Sequence, residues 1–175
     1  MGTYKRVSPR KAWIQFVFIF AAVMGPLYIA YFYAQESGHL GFIRVFTAQL
    51  TGKFLYLTGI SVQVSMEFIK YGDFIPIRVI YECTGIFTMI IFFSGILAYR
   101  STIVDKLIGF GLGIPGIYFL NIFRLFILAI IGHFSPQYFD FFHNYLWYAL
   151  FSIVVLGMWL FWVDVVVERE SEYAK

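Results

Sequence analysis

Long apolar stretches alternate with short polar ones along this chain, and the pattern predicts a helical membrane protein. Four stretches approach the roughly 20 apolar residues that a helix needs to cross a bilayer. They cover residues 12–34, 83–99, 107–131 and 144–163. The first is too long and too aromatic for the core of a cleaved signal peptide, so we expect it in the mature protein. The expected fold class is an all-α polytopic membrane protein, with residues 1–175 forming one integral membrane domain.

The long polar connection, residues 35–82, carries two further patterns. In residues 41–57 cationic and hydroxyl side chains interleave with apolar ones, which is typical of an amphipathic helix lying at a membrane surface. Residues 61–68 then alternate apolar and polar side chains with a period of two, which predicts a half-buried strand. Residues 75–81 repeat that alternation.

These two runs predict a small β-hairpin. The sequence Tyr71-Gly72-Asp73 between them is typical of a turn. Pro76 lacks a backbone donor, so the second strand is expected at an edge of the sheet. The hairpin would deliver Cys83 to the start of the second span.

The composition agrees with a membrane location. Hydrophobic residues make up 61% of the chain and charged residues 13%, about half the charged share of an average soluble domain. Nucleic acid is therefore not an expected partner. We expect the cell inner (cytoplasmic) membrane as the location.

The positions of the cationic residues predict the orientation. Most of the 13 lysines and arginines lie in the N-terminal tail, the loop after the second span and the C-terminal tail. By the positive-inside rule both termini are cytoplasmic, and Cys83 faces the extracytoplasmic side. The cations in these three segments are Lys5, Arg6, Arg10, Lys11, Arg100, Lys106, Arg169 and Lys175.

Cys83 is the only cysteine, so it has no intramolecular disulfide partner. One interpretation is a small buried apolar residue. The other is a nucleophile, because the start of a helix and a nearby arginine would both lower the pKa of a thiol. On the second interpretation a thiol probe should label Cys83 at lower pH than a free thiol.

Arg124 lies inside the third predicted span, about 12 Å of helix from its outer end. A charged side chain inside a bilayer is costly, so it usually faces a cavity or a partner. It is either functional or a structural arginine bonded to backbone carbonyls. His143 begins the fourth span and is either a catalytic base or a member of an interfacial aromatic belt.

The topology allows these three residues to meet near the outer face. A thiol nucleophile, a cation that stabilises negative charge and a general acid–base are the groups that acyl transfer requires. Two other classes of function compete with this one. One is a noncatalytic membrane protein, such as an assembly factor or a small transporter subunit, and the other is a serine membrane protease using Ser94.

Three short motifs resemble the exosortase/archaeosortase family in order and spacing. They are Glu82-Cys83-Thr84-Gly85-Ile86, Asn121-Ile122-Phe123-Arg124 and His143-Asn144. The resemblance implies a short-form membrane cysteine transpeptidase. Its substrates would be exported proteins with a C-terminal sorting signal, which consists of a short motif, a transmembrane helix and a basic tail.

The resemblance also implies a role for each residue. Cys83 would attack the scissile amide and form a thioester, Arg124 would stabilise the thiolate or the oxyanion, and His143 would transfer protons. Asn121 would orient Arg124 or serve as a packing amide, and Glu82 and Asn144 are expected as supporting residues. A membrane lipid, a glycan or water would accept the acyl group, and no cofactor or metal is expected.

The third span contains a group of glycines around Pro115. Such small residues allow close helix contact in a membrane. They indicate either ordinary packing among the spans or a groove that docks the transmembrane helix of the substrate. The glycines are Gly109, Gly111, Gly113 and Gly116.

Overall fold

The computed structural model describes residues 9–70 and 76–168 of the chain. Helices dominate these ranges, and a small antiparallel sheet lies between the second and third helices. The helices are α1 (Pro9–Glu36), α2 (Gly41–Leu57), α3 (Ile86–Ala98), α4 (Ile103–Phe134), α5 (Phe139–Phe141) and α6 (Trp147–Trp162), and the strands are β1 (Gln63–Ser65), β2 (Phe68–Lys70) and β3 (Ile77–Arg78). A π-helical turn, Phe142–Leu146, joins α5 to α6, and a second π-helical segment, Val163–Glu168, follows α6.

Three helical stretches in the described ranges are long and apolar enough to cross a membrane: Arg10–Glu36, Ile103–Phe134 and Pro136–Val167. The protein is therefore a multi-pass membrane protein. The fourth predicted span corresponds to α3, whose 13 residues extend about 20 Å, less than the ~30 Å hydrocarbon core. The count of four spans stays a prediction.

The second predicted span begins too early in the sequence. We expected it from Cys83, but α3 starts at Ile86 because Gly85 has a left-handed backbone, with φ of 75°. Such a conformation cannot continue a right-handed helix. Cys83 instead lies in a 3₁₀ turn, Tyr81–Thr84, outside the spanning helix.

Side-chain contacts show how the long helices run. α1 and α3 are antiparallel, because Gln15 bonds Arg100 at one end while the rings of Tyr28 and Phe87 lie 5.7 Å apart at the other. α4 and α6 are also antiparallel, because the indole of Trp162 donates to the carbonyl of Asp105 over 2.8 Å. The described cations of the predicted cytoplasmic loops thus lie at the end of the bundle opposite Cys83.

The first turn of α4 explains why that helix begins where it does. Thr102 caps it, accepting a bond from the backbone N–H of Asp105 and donating its own N–H to the Asp105 carboxylate. This reciprocal pair is a capping box and satisfies two otherwise free donors. The Lys106 ammonium also bonds the last turn of α3 at Leu97.

The sheet differs from the predicted hairpin in one respect. It has three antiparallel strands in the order β1-β2-β3, because the run predicted as a single strand, residues 61–68, reverses at Met66 and Glu67. Met66 has φ of 51°, the left-handed conformation that a tight turn requires. The expected turn at Tyr71-Gly72-Asp73 lies outside the described residues. β3 is an edge strand, as Pro76 predicted.

The predicted amphipathic helix is confirmed with the expected bounds, Gly41–Leu57. It packs across α4, since the Thr47 hydroxyl lies 3.1 Å from that of Tyr118, halfway along α4. Its position relative to the membrane surface stays a prediction. α2, the sheet and α4 enclose one apolar core, formed by Ala48, Leu55, Ile69, Val79, Cys83, Leu125 and Ala129.

Candidate active site

The Cys83 turn is shaped by its neighbours in the motif. The Thr84 hydroxyl donates to the carbonyl of Tyr81 over 2.6 Å, which closes the 3₁₀ turn on itself. Gly85 then reverses the chain direction into α3 with its positive φ. The result is a rigid turn in which the Cys83 side chain is 3% exposed.

Asn121 of α4 forms a hydrogen bond to the backbone of this turn. Its side-chain amide donates to the carbonyl of Cys83 over 2.7 Å, and the whole residue is buried. A Cβ at Gly85 would lie only 3.2 Å from the Asn121 side chain. Asn121 was expected to orient Arg124 or to pack; the hydrogen bond observed for its amide goes to the backbone of the cysteine turn.

His143 lies beside the thiol. Its Nε2 atom lies 3.9 Å from Cys83 Sγ, although 60 residues separate them in sequence. The π-helical turn Phe142–Leu146 carries His143, and such local irregularities are frequent at functional sites. The ring of Phe139 stacks on the imidazole at 5.6 Å, which fixes its plane.

Asn144 determines which nitrogen of His143 carries the proton. Its side-chain oxygen lies 3.0 Å from His143 Nδ1. An amide oxygen can only accept, so Nδ1 must be the donor and Nε2 is left with a free lone pair facing the thiol. This is the tautomer that a general base for Cys83 requires.

Arg124 is buried in α4 with its charge incompletely paired. It is 4% exposed, and its Nε and Nη2 atoms have no hydrogen-bond partner among the described residues. The ring of Tyr148 lies 5.7 Å from its guanidinium carbon, which gives a cation–π contact. A buried guanidinium with free donors is suited to an incoming negative charge.

The electrostatics of the thiol contradict one expectation from the sequence. Burial raises the pKa of Cys83, and this effect outweighs the hydrogen bond at Ile80 and the charge of Arg124, which lower it. Glu82 raises it further. Because the net shift is upward, Cys83 rests as a neutral thiol and needs a base to become nucleophilic.

Two cavities meet at this turn. The larger, which we call the membrane groove, has a volume of about 1190 Å³ and is lined mainly by α1, α3 and α6, with Glu82 and Arg124 at one end. The smaller, which we call the strand cleft, has about 410 Å³ and contains Cys83 and His143. The structure thus brings thiol and imidazole together in one cavity, while Arg124 lines the neighbouring one.

The contacts of Gly109 and Gly113 in α4 favour packing, one of the two interpretations of these glycines; docking of a substrate helix stays a prediction. A Cβ at Gly113 would lie 2.0 Å from a ring carbon of Phe92, and one at Gly109 would lie 2.7 Å from Trp162. Both positions face neighbouring helices of the bundle. Only Gly111 of these three has open space around it.

Ser94 is unsuited to the role of nucleophile. It is fully buried in α3, and its hydroxyl donates to the carbonyl of Ile90 over 2.7 Å. Within the described ranges no group of three or more histidine, cysteine or acidic side chains could hold a metal ion.

The sequence analysis missed two residues that contribute to the candidate site, Gly85 and Tyr148. Gly85 was quoted in a motif without a role, although a glycine directly before an apolar helix is a recognisable sign of a left-handed residue. Tyr148 gave no such sign, because an aromatic residue near a membrane interface is ordinary.

Comparison with known proteins identifies the family of the chain. The family model described as transmembrane exosortase matches residues 4–160 of the chain. The match includes all three motifs and both cavities. No curated protein and no solved structure matches the chain.

Proposed function

The chain belongs to the transmembrane exosortase family, and from this membership we propose that it is a membrane cysteine transpeptidase that cleaves C-terminal sorting signals of exported proteins. The observation that carries the proposal is the pairing of Cys83 Sγ with His143 Nε2 at 3.9 Å, next to an incompletely paired buried arginine. Family membership suggests the transpeptidase class, and the geometry supports the roles that we propose for the residues.

The first step is attack of the thiol on the scissile amide. His143 Nε2 takes the proton of Cys83 as the sulfur–carbon bond forms, because the raised pKa of Cys83 leaves little thiolate at rest. The distance of 3.9 Å must shorten for this transfer, as is common for sites without substrate. Asn144 keeps Nδ1 protonated, so that the imidazolium is held in the correct orientation.

The carbonyl oxygen of the substrate becomes negatively charged in this step. Arg124 is the cation at the site with free donors, and donors placed before the reaction stabilise such an oxyanion. It lines the membrane groove beside the turn, so the oxyanion would point toward that side. Collapse of the tetrahedral intermediate breaks the carbon–nitrogen bond, and His143 returns its proton to the leaving amine.

The second step resolves the thioester. An amine or hydroxyl of the acceptor attacks the acyl carbon, His143 removes its proton, and Cys83 leaves and recovers a proton. A membrane lipid or a glycan as acceptor gives transpeptidation, and water gives release.

The membrane groove is long enough to lie along the transmembrane helix of a sorting signal. Its lining runs along α1 from Ala12 to Gln35, about 35 Å of helix, and so covers the ~30 Å of a hydrocarbon core. One end of the groove reaches Glu82 and Arg124 beside the cysteine turn. A helix in this groove would place the residues just before it at Cys83, on the extracytoplasmic side of the inner membrane.

Substitution of the nucleophile tests the proposal. We expect Cys83→Ala and Cys83→Ser each to abolish cleavage of a reporter protein that carries a C-terminal sorting signal from the same genome, while the enzyme still accumulates in the membrane. A serine hydroxyl is too weakly acidic to replace the thiol here. Cleavage at the normal rate by Cys83→Ala would refute the proposal and favour a noncatalytic assembly or transport role.

Two substitutions at Arg124 separate the effect of its positive charge from the effect of its planar hydrogen-bond geometry. Arg124→Ala should be inactive, whereas Arg124→Lys keeps the charge but loses the planar set of donors. Partial activity of the lysine variant would indicate that the positive charge is the main contribution. Complete loss of activity would indicate that directional hydrogen bonds from the guanidinium are the main contribution. Normal turnover by Arg124→Ala would assign the residue a purely structural role.

A further inference from the structure

The strand cleft is bordered by the edge of a β-strand. Five consecutive residues, 76–80, line it on one side, and Pro136 and Phe139 line it on the other. Successive side chains of a strand point to opposite faces of a sheet. Residues of both faces of β3 border the cleft, so the cleft reaches the edge of this strand; Ile69 of β2 also lines it, so it continues beneath the inner face of the sheet.

The pairing of β3 with β2 shows which backbone groups lie at that edge. The N–H of Val79 donates to the carbonyl of Glu67 over 2.8 Å, and Arg78 lies opposite Phe68. In an antiparallel ladder the backbone groups of neighbouring residues point to opposite sides. Both the N–H and the C=O of Arg78 therefore point away from β2, and no hydrogen bond between described residues occupies them.

We propose that this edge binds the extended segment of the substrate that precedes the scissile amide, as a strand added to β3. The inference rests on the proposed function, since it names how that same site holds its substrate. An extended peptide beside an unpaired edge gains backbone hydrogen bonds without depending on its sequence. Cys83 and His143, the proposed nucleophile and base, line the same cleft, so a peptide bound there would lie beside the thiol and the imidazole.

The direction of the added strand follows from where the substrate must go. β3 runs toward Cys83, and the membrane groove begins on the far side of the same turn. The substrate runs from its short motif to its transmembrane helix. Its motif must therefore lie parallel to β3, with the scissile amide beyond Ile80.

The lining of the cleft indicates which side chains fit. Behind the edge lie Leu125, Leu128, Ala129 and Gly132 of α4, which are apolar or small. In an added strand every second side chain points the same way. The substrate motif should therefore place a modest apolar side chain at alternate positions before the cleavage site.

Removal of one backbone donor tests the added strand. Arg78→Pro deletes the outward N–H while keeping the ladder with β2, and Arg78→Ala is its matched control because it loses only the side chain. That side chain bonds Glu67 at the surface. With the sorting-signal reporter as substrate, we expect kcat/KM of the proline variant to be about tenfold below that of the alanine variant, mainly through KM. Equal kcat/KM in two folded variants would overturn the proposal.

A crosslink provides a second measurement that does not depend on activity. In a Cys83→Ala background the chain has no other cysteine, so Arg78→Cys introduces a single reactive position. We expect disulfides with single cysteines placed about two to four residues before the scissile bond of the reporter. The control is Ser65→Cys on β1, the other edge strand, which should form none. Crosslinks at both edges, at neither edge, or only within the substrate helix would overturn the proposal.

The outcomes separate this inference from the proposed function. If Cys83→Ala abolishes cleavage but Arg78→Pro matches Arg78→Ala and no crosslink forms at residue 78, the enzyme assignment stands and the added strand is wrong. If Cys83→Ala still cleaves the reporter, the function itself is wrong.

Discussion

Gly85→Ala should weaken both the fold and the active site, by an amount that the structure allows us to work out. The left-handed backbone at Gly85 costs a residue with a Cβ about 1–2 kcal/mol. The new Cβ would lie 3.2 Å from the side chain of Asn121, whose hydrogen bond to Cys83 contributes about 1 kcal/mol. We expect a loss of about 2–3 kcal/mol in the free energy of unfolding, since both terms apply.

Gly59→Ala is the matched control for this substitution. Gly59 has φ of 84°, but nothing lies within 4 Å of the position its Cβ would take. It should therefore show the backbone cost alone, about 1–2 kcal/mol. Thermal unfolding in detergent measures both variants, and reporter cleavage measures whether Cys83 has moved.

Asn121→Ala completes the test as a double-mutant cycle. In the Asn121→Ala background the extra cost of Gly85→Ala over Gly59→Ala should shrink, because the hydrogen bond and the nearest contact (Cγ at 3.2 Å) are gone and only the Cβ of residue 121, at 3.3 Å, remains close. Cleavage by Gly85→Ala should fall by at least about tenfold, since small displacements of a nucleophile are expensive. Equal unfolding of Gly85→Ala and Gly59→Ala, with normal cleavage, would refute the view that Asn121 positions the cysteine turn.

The remaining predictions concern the thiol, its base and the helix packing. Alkylation of Cys83 by iodoacetamide should reach half its maximal rate at a higher pH than alkylation of a free cysteine does, because the pKa of Cys83 is raised. Arg124→Ala should move this midpoint to a still higher pH, because the charge of Arg124 lowers the pKa of Cys83. A midpoint below that of free cysteine would contradict the burial effect. Asn144→Ala should lower kcat with little change in KM, whereas Asn144→Asp, which keeps an acceptor, should retain activity; equal kcat in the two variants would contradict the orienting role. Gly113→Ala should destabilise the protein by about 1–3 kcal/mol in thermal unfolding, while Gly111→Ala should not, because only the first position is filled by a neighbouring ring.

Local patterns predicted much of the fold. The bounds of α2 were correct because the apolar and polar positions of residues 41–57 follow a helical period without interruption. The turn at Met66 was missed because neither Met66 nor Glu67 is a usual turn residue, and the alternation of residues 61–68 continues across it. A period-two pattern does not show where a strand reverses when both arms keep the same alternation.

The candidate site was predicted less completely than the fold. The convergence of Cys83 and His143 followed from the topology of the spans, and their contact agrees with it. The raised pKa of Cys83 could not be predicted because it depends on how α2, the sheet and α4 bury the turn. The separate cavity of Arg124 could not be predicted because it depends on how α1, α3 and α6 pack. Burial of this kind results from packing between segments that are distant in sequence, and a short motif does not predict it.

The π-helical turn at Phe142–Leu146 has a consequence for how this chain tolerates insertions and deletions. A π-helical turn holds about one residue more than an α-helical turn, so it takes up the extra residue locally and the helix on either side keeps the face that it presents. Deletion of a single residue here would convert the turn to regular α-helix and leave α6 packed on α4, but it would change the direction of His143, which lies inside the turn, relative to Cys83. The placement of the imidazole beside the thiol thus depends on the length of this one turn, whereas the packing of α6 on α4 does not.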